Sequence, residues 1–164
     1  MGKRSIRENK NIYQLSREAL DLTREQAGEL LEFISPDKIE KIESEKMLPH
    51  PEDVLAMSKA YKTPQLCNYY CSHECPIGQI YVPELQMKDL SGIILEMIAT
   101  LNRINKEKDR LIEITADGQI TEDEYEDFKK IRSELSKISM SVDTLSLWVD
   151  KSIADGKISD IINE

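Results

Sequence analysis

The stretch 22–46, LTREQAGELLEFISPDKIEKIESEK, constrains this chain more than any other, because it holds two complete helix starts with only a tight corner between them. Thr23 is an N-cap residue, and Gln26 three positions later completes a capping box, so a first helix is expected from here through Leu31. A second start follows at once. Ser35 can cap, Pro36 suits the first helical position because its missing N–H would be unsatisfied anyway, and Asp37 favours the positive end of the helix dipole. In that second helix Ile39 and Ile42 fall three apart on one face, which leaves Lys38, Lys41 and Ser44 to project elsewhere. Two short amphipathic helices meeting at a corner are the signature of a helix-turn-helix.

The flanks are consistent with this reading. Asn11 to Leu20 carries Ile12, Leu15 and Ala19 at helical spacing with Tyr13 off that face, which suits a supporting helix. On the other side, Leu48-Pro49-His50-Pro51 breaks the chain, and a helix opens at Pro51-Glu52-Asp53 with Val54, Leu55, Met57, Ser58 and Tyr61 as its core stripe. It is expected to end before Pro64, and His50 reads as a solvated loop histidine.

These residues resemble the Xre-type, lambda-repressor-like DNA-binding domain, with Leu22, Thr23, Ala27 or Gly28, Ile39, Ile42 and Glu43 standing where that family's pattern puts them. The usual Leu-Gly-Val-Ser corner is replaced by Leu31, Glu32, Phe33, Ile34, Ser35, one residue longer and without glycine. The resemblance covers residues 1–66 and implies that Arg24, Pro36, Asp37, Lys38 and Lys41 face DNA, with Lys46 holding the backbone beyond the second helix.

Charge is unevenly distributed. The chain has a formal net charge of −9, with residues 1–66 at −1 (11 Lys and Arg, 12 Asp and Glu) and residues 67–164 at −8 (11 and 19). Such a balance argues against a generalised affinity for polyanions or acidic membranes. A near-neutral head can still bind DNA if its cations cluster, and Lys3, Arg4, Arg7, Lys10 and Arg17 gather at the front, where they form either a phosphate-reaching arm or a solubilised terminus. No run approaches the roughly 18 apolar residues of a membrane span, and no apolar signal core is present, so a cytoplasmic protein without membrane association is expected.

A connector, residues 67–83 (CNYYCSHECPIGQIYVP), holds all three cysteines at four-residue spacing, Cys67, Cys71 and Cys75, with His73 between the last two. On a helix the three sulfurs share one face and the imidazole another, so a structural zinc site needs the helix to break near Cys75. Small buried hydrophobes, metal ligands and redox sensors all remain open as readings. Tyr70-Cys71 through Gly78 also resembles a Tyr-Cys-x3-Cys-Pro-Ile-Gly core that follows Xre-type heads in a group of bacterial and phage-associated regulators. Cys71 and Cys75 match that core and Cys67 is extra.

Residues 84–164 read as an antiparallel helical hairpin. Leu90, Met97, Ile104 and Leu111 recur every seven residues, interleaved with Ile94 and Leu101, and a second helix from about Thr121 carries Phe128, Ile131, Leu135, Ile138, Val142, Leu145 and Val149. Two helices alone bury little, so the hairpin is expected to pair with its mate in a homodimer, with docking on the head as the alternative. Trp148 beside that seam suits either a dimer contact or core packing. Gly118, Ile120 and Glu124 occupy three places of a calcium-loop pattern, but Glu113 and Thr115 stand where aspartates belong, so the corner reads as turn chemistry.

Together these observations imply an all-α protein: a small helix-turn-helix bundle followed by a long antiparallel hairpin, divided as 1–66, 67–83 and 84–164. No catalytic constellation is assembled, so an enzyme is not expected. The leading expectation is a dimeric, sequence-specific regulator of transcription bound to double-stranded DNA. The alternative is a protein-interaction adaptor that keeps the fold without binding DNA, and for either one gating by metal or redox chemistry at the cysteines stays open.

Overall fold

The computed structural model describes residues 9–158, and within them the fold is all α-helical with no strand. The helices are α1 (Ile12–Glu18), α2 (Arg24–Leu31), α3 (Pro36–Glu43), α4 (Pro51–Ala60), α5 (Gln65–Tyr69), a single π-helical turn Tyr70–Glu74, α6 (Gly78–Tyr81), α7 (Leu90–Thr115) and α8 (Glu122–Ala154). Lys3, Arg4 and Arg7 of the expected arm lie outside the described residues. Two compact units emerge, one made of residues 9–84 with 150–158 and the other of Leu85–Val149. The 67–83 connector therefore belongs to the same unit as the head, as does the last turn of α8, where Lys151 Nζ donates to the carbonyl of Lys62 at 2.9 Å.

The head closes around Ala27, Leu31, Ile34, Ile39, Ile42, Val54, Met57 and Leu66, all buried. Its first helix is turned differently from the periodic expectation: Tyr13, Gln14, Ser16 and Arg17 face inward, while Leu15 is exposed. The reason is polar. Tyr13 Oη donates to Glu74 Oε2 at 2.8 Å and Arg17 meets Glu43, so partners contributed by distant segments outweigh the burial of one leucine. In α4 the stripe Val54, Met57, Ser58 and Tyr61 is buried as expected, and Leu55 is exposed.

In the connector, backbone bonding slips by one residue, and Cys75 N donates to Tyr70 O at 2.9 Å to close the π turn. Cys75 itself is extended, and Pro76-Ile77 swings α6 back onto the turn. Gly78 is what permits this. A Cβ there would stand 2.0 Å from the carbonyl oxygen of Cys71, an impossible distance, so the glycine of the Cys-Pro-Ile-Gly run is required by close backbone approach.

The second unit is the hairpin. Arg103 Nε bonds Glu134 Oε2 at 2.7 Å, Lys130 Nζ bonds Glu107 Oε1 at 2.9 Å, and Arg110 Nε bonds Asp127 Oδ2 at 2.8 Å, which fixes the antiparallel register. The buried set differs from the heptad expectation. Ile93, Thr100 and Ile114 are buried on α7 and Ile131, Ser141, Thr144 and Leu147 on α8, whereas Leu90, Leu101, Leu135 and Val142 are exposed. Hydroxyls of Thr100, Ser141 and Thr144 each donate to the carbonyl four residues back, at 2.8, 2.9 and 2.7 Å, so these small polar residues are buried without an unmet hydrogen bond. At the corner, Gly118 takes φ +74°, Asp117 Oδ1 accepts from Gln119 N, and the Glu124 carboxylate accepts from both N and Oγ1 of Thr121. Glu113 is paired with Arg110, and the segment is a helix stop followed by a helix start.

Candidate nucleic-acid interface

The helix-turn-helix forms with the caps its sequence specifies. Thr23 Oγ1 accepts from Gln26 N at 3.2 Å and Gln26 Oε1 accepts from Thr23 N at 2.8 Å, while Ser35 Oγ accepts from Lys38 N at 3.3 Å. Between α2 and α3, Glu32 adopts φ +56°, ψ −49°, and Phe33 N donates to Leu31 O at 2.6 Å. This is a γ-turn built on a residue with a Cβ, and it replaces the glycine of the family corner. Ile34 is thereby driven into the core and Phe33 out into solvent. Gly28 allows the close crossing: a Cβ there would lie 3.0 Å from Pro36 Cδ and 3.3 Å from Ile34 O.

Three residues tie the module together electrostatically. Glu43 is held by Arg17, whose Nε and Nη2 reach its two carboxylate oxygens at 2.5 and 3.0 Å, and by Arg24 Nε at 2.8 Å. The side chains of Glu43 and Arg17 are 1% and 6% exposed, so this pairing is a buried one. Burial works against the Arg17 charge, but its hydrogen bonds and attraction to Glu43 outweigh it and raise its pKa. Arg17 also donates through Nη1 to the Leu22 carbonyl. The residue expected in a basic arm is thus a structural tie between α1, the α2 entry and α3. Lys10 likewise pairs with Glu18, at 2.6 Å.

The six positions implied by the family resemblance divide accordingly. Arg24 begins α2 and joins the Glu43 cluster, yet a third of its side chain remains exposed. Lys38 is drawn to the α3–α4 junction, where its Nζ meets Asp53 Oδ1 at 2.7 Å while Asp53 Oδ2 accepts from His50 N. Pro36 is half-buried against Gly28, and Asp37 is exposed on the first turn of α3. Lys41 is exposed and makes no ion pair with another described residue. Lys46 is exposed and touches Glu40 at 3.3 Å, a surface pair worth under about 1 kcal/mol. Turns of about 100° per residue put Asp37, Glu40, Lys41 and Ser44 together on the outward ridge of α3. That ridge carries two carboxylates and one ammonium.

Arg17 also lies 3.8 Å from Glu18, and Glu25 stands in the first turn of α2, so the two guanidinium groups are balanced by Glu43 and its acidic neighbours. Of the two, Arg24 is the one that reaches solvent, with 34% of its side chain exposed at the start of α2.

The cysteines do not gather ligands. Cys67, Cys71 and Cys75 are half-buried free thiols, and among the described residues no three His, Cys, Asp or Glu side chains converge as a metal site would need. His73 is stacked on Tyr69 with ring centroids 4.4 Å apart, and its Nδ1 lies 2.9 Å from Ser72 Oγ. Burial, then the neighbouring Cys75 and Cys67, push the Cys71 thiol up, away from a reactive thiolate. Burial likewise raises Glu74, although the hydrogen bond from Tyr13 opposes it.

Among the described residues no helix is long and apolar enough to cross a membrane. No family model, curated protein or solved structure matches the chain.

Proposed function

We propose that the chain is a sequence-specific DNA-binding regulator whose head docks through α2 and α3 and whose hairpin joins two copies. The observation that supports this most is the Glu43 cluster, which rigidifies the helix-turn-helix from inside while leaving Arg24 one-third exposed at the entry of α2. Arg24 and Lys46 serve as phosphate contacts flanking α3, and Lys41 reaches from its outward ridge. Lys38 contributes mainly to the fold, because drawing it away would leave the buried Asp53 without its cation.

Selection of bound duplexes from a random pool, followed by titration of the selected site at several salt concentrations, tests this reading. Lys41→Ala should weaken binding to selected and unrelated duplexes alike and reduce the salt slope by about one. Unchanged affinity at every salt concentration removes Lys41 from the interface.

A second reading is favoured by the outward ridge itself, where Asp37 and Glu40 stand beside Lys41. Those carboxylates suit an adaptor that binds a basic protein partner and retains neither random nor selected duplexes.

A further inference from the structure

The hairpin is asymmetric about its seam. One flank is closed by the three ion pairs Arg103–Glu134, Glu107–Lys130 and Arg110–Asp127. Stepping about 100° per residue in the other direction from the buried line Ile93–Thr100–Ile114 brings up Leu90, Ile94, Ile98 and Leu101 on α7. The corresponding step from Ile131 and Ser141 on α8 brings up Leu135 and Val142. Because the helices run antiparallel, equal rotations carry both stripes to the same side, and the ion-paired register sets Leu101 level with Leu135 and Ile94 level with Val142. Leu90, Ile98, Leu101, Leu135 and Val142 are each between 40 and 49% exposed. From Leu90 to Leu101 and from Leu135 to Val149 this side carries one charged residue, Asp143 at its outer edge, although Leu85–Val149 contains nine Lys and Arg and thirteen Asp and Glu.

We infer that this charge-poor face is the contact between two copies of the chain, which pair hairpin to hairpin as a four-helix bundle. The proposal specifies the dimer contact of the DNA-binding reading and stands or falls separately from DNA recognition. Three arguments select a second copy. The first is energetic: Ile93, Ile114, Ile131 and Leu147 are buried within the chain, whereas Leu90, Ile98, Leu101, Leu135 and Val142 keep 40–49% of their surface in water, and association removes that apolar area at about 25 cal/mol per Å². The second is size, since 26 residues of α7 span about 39 Å and two adjacent helices about 20 Å, giving the whole side of the hairpin on the order of 700–800 Å², of which the charge-poor part is about half. The whole side matches the roughly 800 Å² each partner contributes to a stable interface, with the charge-poor part as its apolar core and the rest as its polar rim. The third is charge: a face whose one charged residue is Asp143 at its edge offers little to a strongly basic or acidic partner, while its own copy is equally charge-poor and self-complementary about a two-fold axis.

Sedimentation velocity of the full chain in reducing buffer provides the test, with the Ile98→Glu/Val142→Glu double variant and Lys129→Glu on an outer surface as control. The wild type and the control should sediment at twice the 18.9 kDa chain mass, and the double variant as a monomer of unchanged helicity by circular dichroism. Self-association should weaken by about a hundredfold or more. A monomeric wild type, or a double variant that remains dimeric, overturns the proposal. Duplex binding measured on the same proteins keeps the two questions apart: a dimer that binds no DNA defeats only the DNA reading, and a monomer that binds DNA defeats only this one.

Discussion

Glu43 is the residue on which the head depends most. It lies on α3, and its side chain is enclosed and satisfied by Arg17 and Arg24. Removing its charge would leave Arg17, 6% exposed, facing a neutral amide with Glu18 at 3.8 Å as the one other close carboxylate among the described residues. Breaking a buried ion pair from one side typically destabilises by about 3–5 kcal/mol, far more than the pair contributes relative to an apolar substitute. Glu43→Gln is therefore expected to lower the unfolding free energy by about 3 kcal/mol, read from urea denaturation as a drop in midpoint at unchanged slope. A loss below about 1 kcal/mol would show that the cluster is solvated and that Arg24 is not held in place by it. None of this was visible in apolar periodicity. Arg17 and Tyr13 lie on helix faces that hydrophobic spacing assigns to solvent, and only their partners in α3 and the connector, 26 and 61 residues away, draw them inward.

Individual elements were legible wherever local chemistry decides them. The Thr23–Gln26 box, Ser35 ahead of Pro36, Asp53 bonding back to His50 N, and Gly118 with the Thr121–Glu124 restart all fall where cap and turn preferences place them. The buried set of the hairpin was legible only in part, because Leu90, Leu101, Leu135 and Val142 share the spacing of core residues yet are exposed, while Thr100, Ser141 and Thr144 are buried. Apolar spacing records every face a helix buries in its working assembly, not only the face covered within one chain. The connector illustrates the opposite limit. The Cys-Pro-Ile-Gly run attracts attention through its sulfurs, whereas its strictest requirement is the glycine, since a Cβ on Gly78 would lie 2.0, 2.6 and 2.9 Å from the O, C and Cα of Cys71. Backbone cannot yield as a flexible side chain can. Gly78→Ala should destabilise the head unit by more than about 2 kcal/mol and expose the Tyr13–Glu74 hydrogen bond, measured as a lower melting temperature. Cys75→Ser, which keeps the backbone and alters only a long 3.5 Å contact to Gly78 N, should have a much smaller effect. A reversal of that order would mean that the sulfurs, and not the close approach, organise the connector.

The two units differ in how they reach stability, and this leads to a prediction for the molecule as a whole. The head buries Ile34, Ile39, Ile42, Val54, Met57 and Leu66 in one cluster and adds a buried ion pair, so its opening free energy is set within the chain. The hairpin buries three isoleucines, Leu147 and three hydroxyl residues, and on the proposed pairing the face of Leu90, Ile98, Leu101, Leu135 and Val142 is covered only on association. Any species that binds the folded form raises its apparent stability by mass action, and here that species is a second copy. Amide hydrogen exchange across a dilution series should therefore separate the two regions. Protection at Val54, Met57 and Leu66 should be high and independent of protein concentration, whereas protection along α7 and α8 should be lower and rise with concentration. Ile98→Glu/Val142→Glu should hold the hairpin at its dilute-limit protection at every concentration and leave the head unchanged. If α7 and α8 are instead as protected as the head and insensitive to dilution in the wild type, the hairpin is stabilised within one chain, and the division of labour between a self-contained head and a pairing tail is wrong.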